Sequence, residues 1–230
     1  DKSISHRALM VASICNGKSI IKNLPYSRDV LSTIDCLKKT GISITMNNNV
    51  TTIHGKTFQI PEEDLNCFNS GTTMRLLSGL YTSISLPVTL YGDSSLNRRP
   101  MNRIINPLSK MGVVIQSNNG TAPINLLKFN LKPINYEIPI ASAQVKSCLT
   151  LASLGNKSKN IIKQAVPTRN HLEHIIDSIS NNIIEYNDNK IIIDGSKDSL
   201  RAFEMDIPGD VSSASYLIGL AVLLKDSKLI

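Results

Sequence analysis

Apolar and polar positions alternate in a pattern that repeats about every 70 residues along the chain. In the first repeat, Ser3 to Cys15 and Asp29 to Lys39 each carry an apolar stripe of helical period. A strand pattern over Lys18 to Leu24 lies between them, and residues 42–54 form a hairpin pattern around Asn47-Asn48-Asn49. Each repeat is therefore predicted to run helix, strand, helix, strand, strand.

The later repeats follow the same order. The predicted elements are helices at 72–81, 101–110, 143–154 and 172–180, and strands at 88–91, 113–116, 160–164, 183–186 and 190–193. Pro61 to Phe68 and Phe129 to Pro139 are predicted to join the repeats, and a fourth helix start follows at Asp210. We predict an α/β (α+β) fold with three such units in one domain, residues 1–209, and the beginning of a second domain at residues 210–230. We expect most of that second domain to lie beyond Ile230.

The helix starts repeat as well. Small, hydroxyl-rich segments run into an apolar helix at Asp1, Asn69, Ser142 and Asp210. A second set of starts carries arginines in register, 71 and 70 residues apart, at Arg28, Arg99 and Arg169. Repeats of this length are whole supersecondary units rather than turns of a solenoid.

These starts are candidate anion sites, because the first turn of a helix has unpaired N–H groups and a partial positive charge. The hydroxyl and amide residues there also serve simply as N-caps, and for any single start the cap is the better interpretation. Cations are disfavoured near a helix start unless an anion meets them. Five cations nevertheless lie within a few residues of the starts: Lys2, Arg7, Arg75, Arg99 and Arg169. The set predicts several anion sites on one surface.

The charge of the chain favours an acidic partner, with a net charge of +7 and a pI near 9.2. Nucleic-acid binders usually cluster Lys and Arg on one element and add aromatic residues for stacking. This chain has no Trp, 4% aromatic residues and scattered lysines, and its one dense basic run is Asn97-Arg-Arg-Pro-Met-Asn-Arg103. Small anions are therefore favoured, and a nucleic-acid-binding module of tandem αβ units is the alternative from another class.

Membrane and metal classes are disfavoured. The first apolar stretch, Ala8 to Ile14, is too short and amphipathic for a signal peptide, and Tyr216 to Leu224 is too short to span a bilayer. The cysteines lack metal-binding spacing and are interpreted as reduced core residues: Cys15, Cys36, Cys67 and Cys148. We expect a soluble, cytoplasmic, monomeric protein without bound metal.

Five motifs, in this order, resemble the successive signatures of the 5-enolpyruvylshikimate-3-phosphate synthase family. They are Asp1-Lys-Ser-Ile-Ser-His-Arg7, Asn69-Ser-Gly-Thr-Thr-Met-Arg75, Gly92-Asp-Ser-Ser-Leu-Asn-Arg-Arg-Pro-Met101, Ser142-Ala-Gln-Val-Lys-Ser147 and Pro208-Gly-Asp-Val-Ser-Ser-Ala-Ser215. The resemblance implies the enolpyruvyl transferase fold, with two domains of three βαβαββ units each closing over a cleft. It also implies transfer of the enolpyruvyl group from phosphoenolpyruvate to the 5-hydroxyl of shikimate 3-phosphate, without a metal or an organic cofactor.

The same resemblance implies the site residues. For shikimate 3-phosphate they are Lys2, Ser3, Arg7, Ser142, Ala143, Gln144 and Arg169. For phosphoenolpyruvate they are Lys2, Gly71, Arg99 and Gln144. Lys2 contacts both substrates and is the candidate for a catalytic role. The proton-transferring groups of the family would come largely from beyond Ile230, so the 230 residues alone are expected to bind without turning over.

Other interpretations stay open at this point. The related enzyme that transfers enolpyruvyl to UDP-N-acetylglucosamine would show Lys-Asn at the first start and a reactive cysteine in a mobile loop, whereas Ser3 follows Lys2 here. A noncatalytic anion-binding protein is a further possibility. Asn170-His171-Leu172 also departs from the Asp-His-Thr that often follows the aligned arginine in the family. The histidines match no proton-transfer residue of the family and are predicted to be structural: His6, His54, His171 and His174.

Overall fold

A computed structural model describes residues 1–196 and 200–229, and this part of the chain contains seven α-helices and twelve β-strands. The helices are α1 Lys2–Ile14, α2 Arg28–Lys39, α3 Gly71–Ser83, α4 Asn102–Lys110, α5 Ala143–Ser153, α6 His171–Ile179 and α7 Val211–Leu223. The strands are β1 Lys18–Lys22, β2 Ser43–Asn47, β3 Val50–His54, β4 Leu65–Asn66, β5 Val88–Tyr91, β6 Val113–Asn118, β7 Thr121–Phe129, β8 Asn135–Ile138, β9 Lys159–Gln164, β10 Ile184–Tyr186, β11 Lys190–Asp194 and β12 Glu204–Asp206.

The strands form three four-stranded sheets of one design. Their strand orders are β12-β1-β3-β2, β4-β5-β7-β6 and β8-β9-β11-β10. In each sheet the first pair is parallel and the other two pairs are antiparallel. The mixed α/β fold with three βαβαββ units is therefore confirmed.

The hydrophobic pattern does not predict the opening strand of each unit. The pattern predicts only connections at residues 61–68 and 129–139, but each of these segments contains a strand. Strand β4 pairs in parallel with β5, and strand β8 pairs in parallel with β9. A strand as short as Leu65–Asn66 has no periodicity to read. The first unit receives its opening strand from the other end of the chain, since β12 pairs with β1 and places Glu204 beside Ile20. The three units thus close into one body.

Two classes of helix pack against the sheets. The inner helices α1, α3 and α5 are buried on nearly every side, whereas α2, α4 and α6 bury one apolar stripe. Helices α3 and α5 approach so closely that a Cβ added at Gly79 would lie 2.1 Å from the carbonyl oxygen of Cys148. The inner helices therefore form the centre of the hydrophobic core.

The ends of the outer helices repeat in the backbone. Gly41, Gly112 and Asn182 follow α2, α4 and α6, with φ angles of 90°, 90° and 58°. This left-handed conformation terminates helices and favours Gly, with Asn the next most tolerant residue. The residues that end the outer helices thus recur with the same 70-residue repeat as the sequence.

Helix α7 differs from the inner helices that it resembles in sequence. It begins at the fourth helix start but buries none of its residues, and Tyr216 and Leu223 are among its exposed side chains. No helix within the described ranges is long and apolar enough to cross a membrane. The division into domains at residues 209 and 210 stays a prediction.

The four cysteines are buried and carry free thiols, as predicted for core residues. Burial raises the pKa of Cys15 and of Cys148 to about 12. These thiols are therefore protonated at neutral pH and are poor nucleophiles.

Candidate anion-binding site

The four hydroxyl-rich helix starts, those of α1, α3, α5 and α7, are all N-capped by a side chain. The cap residues are Asp1, Ser70, Ser142 and Asp210, and each accepts a hydrogen bond from the backbone N–H three residues further on. The cap interpretation is therefore correct for each start taken singly. The residues predicted to hold anions lie around these caps rather than replacing them.

Arg169 joins the starts of α1 and α7. Its Nη1 donates a hydrogen bond to Ser3 Oγ at 3.2 Å, and its Nη2 donates to Ser212 Oγ at 3.3 Å. Arg169 precedes α6 in the third unit and Ser3 lies at the start of the first, so closure of the three-unit body brings these two predicted ligands together. The guanidinium is exposed and available to an incoming anion.

Arg7 lies behind this pair and is 3% exposed. Its Nε and Nη2 donate to Ser147 Oγ at 3.1 and 2.9 Å, its Nη1 donates to the Ser3 carbonyl at 2.8 Å, and its Nη2 reaches the Ala143 carbonyl at 3.4 Å. Burial lowers the pKa of Arg7 to about 10, with Glu173 opposing that shift. Arg7 thus fastens α1 to α5, and most of its N–H groups are already occupied.

A second group of predicted ligands gathers around Arg75. Arg75 Nη1 donates to Gln144 Oε1 at 2.9 Å, and Gln144 Nε2 donates to Thr72 Oγ1 at 2.9 Å. A Cβ added at Gly71 would lie 2.8 Å from Arg75 Nη1 and 3.3 Å from Arg99 Nη1. Gly71, Arg99 and Gln144 are therefore brought together, with Arg75 between them. Burial, and then the positive charge of Arg99, lowers the pKa of Arg75.

Arg99 is held by a chain of two polar side chains. Its Nη2 donates to Asn69 Oδ1 at 2.6 Å, and Asn69 Nδ2 donates to both carboxylate oxygens of Asp93, at 3.0 and 2.7 Å. Hydrogen bonds from the Leu96 backbone N–H and from Asn69 lower the pKa of Asp93. Asp93 accepts from the Asn69 amide nitrogen, and this orients the amide oxygen toward Arg99.

Lys2 connects the start of α1 to the starts of α2 and α7. Its Nζ pairs with Asp29 Oδ2 at 2.8 Å, and its backbone N–H donates to Asp210 Oδ2 at 3.1 Å. The backbone carbonyl of Asp29 in turn accepts from Thr73 Oγ1 at 3.2 Å. The starts of α1, α2, α3 and α7 are thus linked through Lys2 and Asp29. Within residues 1–196 and 200–229, no group of three or more His, Cys, Asp or Glu residues is placed to hold a metal ion.

Comparison with known proteins assigns the chain to a family. The family model for EPSP synthase (3-phosphoshikimate 1-carboxyvinyltransferase) matches residues 1–230. The chain belongs to the EPSP synthase family. Family membership favours the EPSP synthase interpretation over a UDP-N-acetylglucosamine enolpyruvyl transferase and over a nucleic-acid-binding module.

Two curated EPSP synthase relatives carry the name 3-phosphoshikimate 1-carboxyvinyltransferase. The protein of Caldicellulosiruptor saccharolyticus is 40% identical over 236 aligned positions, which cover 100% of this chain and 54% of the relative. That of a Thermoanaerobacter species is 42% identical, covering 99% of this chain and 54% of the relative. The solved EPSP synthase of Acinetobacter baumannii superposes with a TM-score of 0.89 at 36% identity, covering 96% of this chain and 51% of that one. The chain spans about half the length of these relatives.

The structure also shows residues that contact the predicted ligands but that the family resemblance did not include among them. They are Asp29, Asn69, Thr72, Arg75 and Asp93, each bonded to a predicted ligand or, for Asp93, to Asn69. Arg75 is among the five cations that the sequence places near the helix starts, and it lies four residues after Gly71 on the same helix face. Asp29 could not be found from the sequence, since it belongs to another helix and meets Lys2 only through the packing of α1 against α2.

Proposed function

We propose that the protein acts in transfer of the 1-carboxyvinyl group from phosphoenolpyruvate to the 5-hydroxyl of shikimate 3-phosphate, with release of phosphate. The proposal rests on one observation in a chain of the EPSP synthase family. Two clusters of cations with hydroxyl or amide groups lie at the starts of the inner helices α1, α3 and α5. Ser3 and Arg169 belong to one cluster, and Gly71 and Arg99 belong to the other. Gln144 follows the cap of α5 and reaches the second cluster.

The shikimate 3-phosphate half of the proposed site consists of seven residues: Lys2, Ser3, Arg7, Ser142, Ala143, Gln144 and Arg169. The planar fork of Arg169 suits a phosphate, which accepts two parallel hydrogen bonds from a guanidinium. Such a phosphate would replace the Ser3 and Ser212 hydroxyls as acceptors from Arg169. The start of α5 at Ser142 would add its helix dipole to the same anion.

The phosphoenolpyruvate half of the proposed site consists of Lys2, Gly71, Arg99 and Gln144. The absence of a side chain at Gly71 lets the guanidinium groups of Arg75 and Arg99 approach the backbone at the start of α3. Lys2 and Gln144 are shared with the first half, so the two substrates would meet between them. Holding both in attack geometry removes part of the barrier that two free reactants would face.

The reaction needs a proton to be added and another to be removed. The 5-hydroxyl loses its proton to a base as its oxygen bonds to C2 of phosphoenolpyruvate and C3 takes up a proton from an acid. C3 then loses a proton to a base as the C2–O bond to phosphate breaks and phosphate leaves. Two carboxylates beside the proposed ligands are already engaged, Asp29 by Lys2 and Asp93 by Asn69. We propose that the 230 residues bind both substrates but do not turn over, and that proton transfer belongs to the part of the family's length that they do not span. Cytoplasmic location and a monomeric state stay predictions from the sequence.

Calorimetric titration with four ligands tests this function. Shikimate 3-phosphate should bind, shikimate should bind at least about tenfold more weakly for want of its charge-assisted bonds, and UDP-N-acetylglucosamine should not bind. Equal affinity for shikimate and its phosphate would contradict the proposal. So would tight binding of a polynucleotide with a steep salt dependence. Phosphate release by the 230 residues from the two substrates would overturn the binding-only part.

A further inference from the structure

A buried ion pair lies beneath the proposed shikimate 3-phosphate ligands. Lys146 on α5 is 1% exposed and Glu173 on α6 is 0% exposed, with Nζ and Oε1 3.4 Å apart. Taking two charges out of water is costly, and well-packed apolar residues of similar volume are often as stable as a buried ion pair. Stability alone therefore does not explain why the protein keeps these charges here.

Lys146 also anchors the segment that carries Arg169. Its Nζ donates a hydrogen bond to the backbone carbonyl of Thr168 at 3.2 Å, directly before Arg169. Thr168 Oγ1 donates to Gln164 Oε1 at 2.8 Å, which ties the same segment to the end of β9. The buried ammonium group of Lys146 thus fixes the backbone that positions the Arg169 guanidinium.

Glu173 balances more than one cation. Within the described residues neither of its oxygens accepts a hydrogen bond, and Lys146 is its ion-pair partner. Its negative charge also acts on Arg7, where it opposes the lowering of the Arg7 pKa by burial. One carboxylate therefore supports two buried cations, Lys146 from α5 and Arg7 from α1.

The cluster as a whole has excess positive charge. Lys146 and Arg7 both interact with the carboxylate of Glu173, and Arg169 adds a third positive charge beside Arg7. Burial and these three cations lower the pKa of the neighbouring His171. A positive cluster buried behind an exposed arginine is completed by an anion with more than one negative charge, such as a phosphate monoester.

We propose that Lys146 and Glu173 are positioning residues for the phosphate of shikimate 3-phosphate. Neither touches the ligand. Lys146 holds the Thr168 backbone and hence Arg169, while Glu173 balances the positive charges of Lys146 and Arg7 in the interior. This inference rests on the proposed function, because it takes the phosphate to lie against Arg169.

The test compares a double apolar variant, Lys146→Met with Glu173→Leu, against the unchanged chain. Because both charges are removed together, we expect the free energy of unfolding in urea to stay close to that of the unchanged chain. Calorimetry should show shikimate 3-phosphate binding weakened at least about tenfold, with shikimate, which lacks the phosphate, unaffected. Lys163→Met, an exposed lysine on β9, is the matched control and should change neither quantity.

Two further measurements keep the test decisive. Lys146→Arg keeps a donor and a charge within reach of Thr168, so it should retain most of the affinity that Lys146→Met loses. Hydrogen exchange of the backbone N–H groups in residues 165–170, Pro167 excepted, should be faster in the double variant and unchanged in the control. If the double variant does not fold, the comparison of Lys146→Arg with Lys146→Met decides the question.

The outcomes separate this inference from the proposed function. Binding of shikimate 3-phosphate by the double variant with the affinity of the unchanged chain would overturn the positioning role. Failure of the unchanged chain to bind shikimate 3-phosphate would contradict the proposed function instead. Even in that case, an unchanged rate of hydrogen exchange at residues 165–170 in the double variant would show that Lys146 does not anchor this segment.

Discussion

Arg75 donates a hydrogen bond from Nη1 to Oε1 of Gln144 over 2.9 Å, and so joins the start of α3 to the start of α5. The two residues come from different repeats, and the bond fixes which end of the Gln144 amide faces Arg75. The other end of the amide, Nε2, is held by Thr72. The proposed phosphoenolpyruvate half of the site is therefore oriented by a side chain that the family motifs did not place among its ligands.

Replacing Arg75 should disturb that half of the site. In Arg75→Met the Gln144 amide loses a charge-assisted hydrogen bond, which is worth about 1.5–3 kcal/mol, so we expect phosphoenolpyruvate to bind about 10- to 100-fold more weakly. Equilibrium titration with phosphoenolpyruvate in the presence of shikimate 3-phosphate measures the change. Arg98→Met removes the same charge from an exposed neighbour of Arg99 and should have little effect; equal losses in both variants would show that only the overall charge matters.

Asp93 should act on Arg99 through Asn69. In Asp93→Ala the Asn69 amide loses both of its carboxylate acceptors and is free to rotate, so Arg99 loses its fixed orientation. We expect weaker phosphoenolpyruvate binding with little change in the affinity for shikimate 3-phosphate. Asp64→Ala, at an exposed position in the connection before β4, is the control. A variant that binds phosphoenolpyruvate normally would show that Arg99 needs no such support.

Protonation of His6 should contribute to loss of stability in mild acid. His6 is 1% exposed, its Nδ1 lies 2.7 Å from Thr33 Oγ1, and burial lowers its pKa to about 3. Asp29 opposes that shift, while Arg7 and Lys2 add to it. Because the unfolded chain takes up a proton near pH 6.5 and the folded chain does not, His6 lowers stability as pH falls from 6.5 toward 3, and has no such effect above pH 7.

Urea unfolding at pH 7 and pH 5 measures the contribution of His6. We expect it to account for about 2 kcal/mol of the stability lost between these two values. In His6→Asn that part of the pH dependence should disappear, whereas His54→Asn, at an exposed position, should retain it. The same pH slope in both variants would contradict the assignment to His6.

The contact between α3 and α5 should not tolerate a side chain at Gly79. A Cβ there would meet the Cys148 backbone at 2.1 Å, and backbone cannot move aside cheaply. Overpacking of this kind costs about 1–3 kcal/mol or more, so Gly79→Ala should lower the free energy of unfolding by at least that amount. Gly219→Ala is the matched control, since a Cβ in that helix meets nothing within 4 Å. Equal stability of the two variants would mean that the helices are packed less closely than described.

Much of the fold can be predicted from the sequence, because its units repeat. The helices lie within about two residues of their predicted ends, since periodic apolar stripes and N-caps such as Ser70 and Ser142 mark them clearly. The opening strands could not be found in the same way. β4 is two residues long, and β12 is recognisable as part of the first unit only after the chain has closed on itself.

The site residues that lie within a short sequence motif could be predicted from the sequence. Ser3, Gly71 and Arg99 lie in short motifs whose order carries the family resemblance, and the structure brings Gly71 and Arg99 together. Contacts between motifs were not predictable. The pairing of Lys2 with Asp29 depends on how the inner helices pack, and no residue spacing encodes it.

The central claim is that the helix starts form a shikimate 3-phosphate site in which Arg169 holds the phosphate. Calorimetric titration of the chain and its Arg169→Ala variant with shikimate 3-phosphate tests it most directly, with Arg28→Ala as the control at the equivalent position of the first repeat. The account predicts that Arg169→Ala weakens binding at least about tenfold and that Arg28→Ala leaves it unchanged. Equal affinities of the unchanged chain and Arg169→Ala would contradict it.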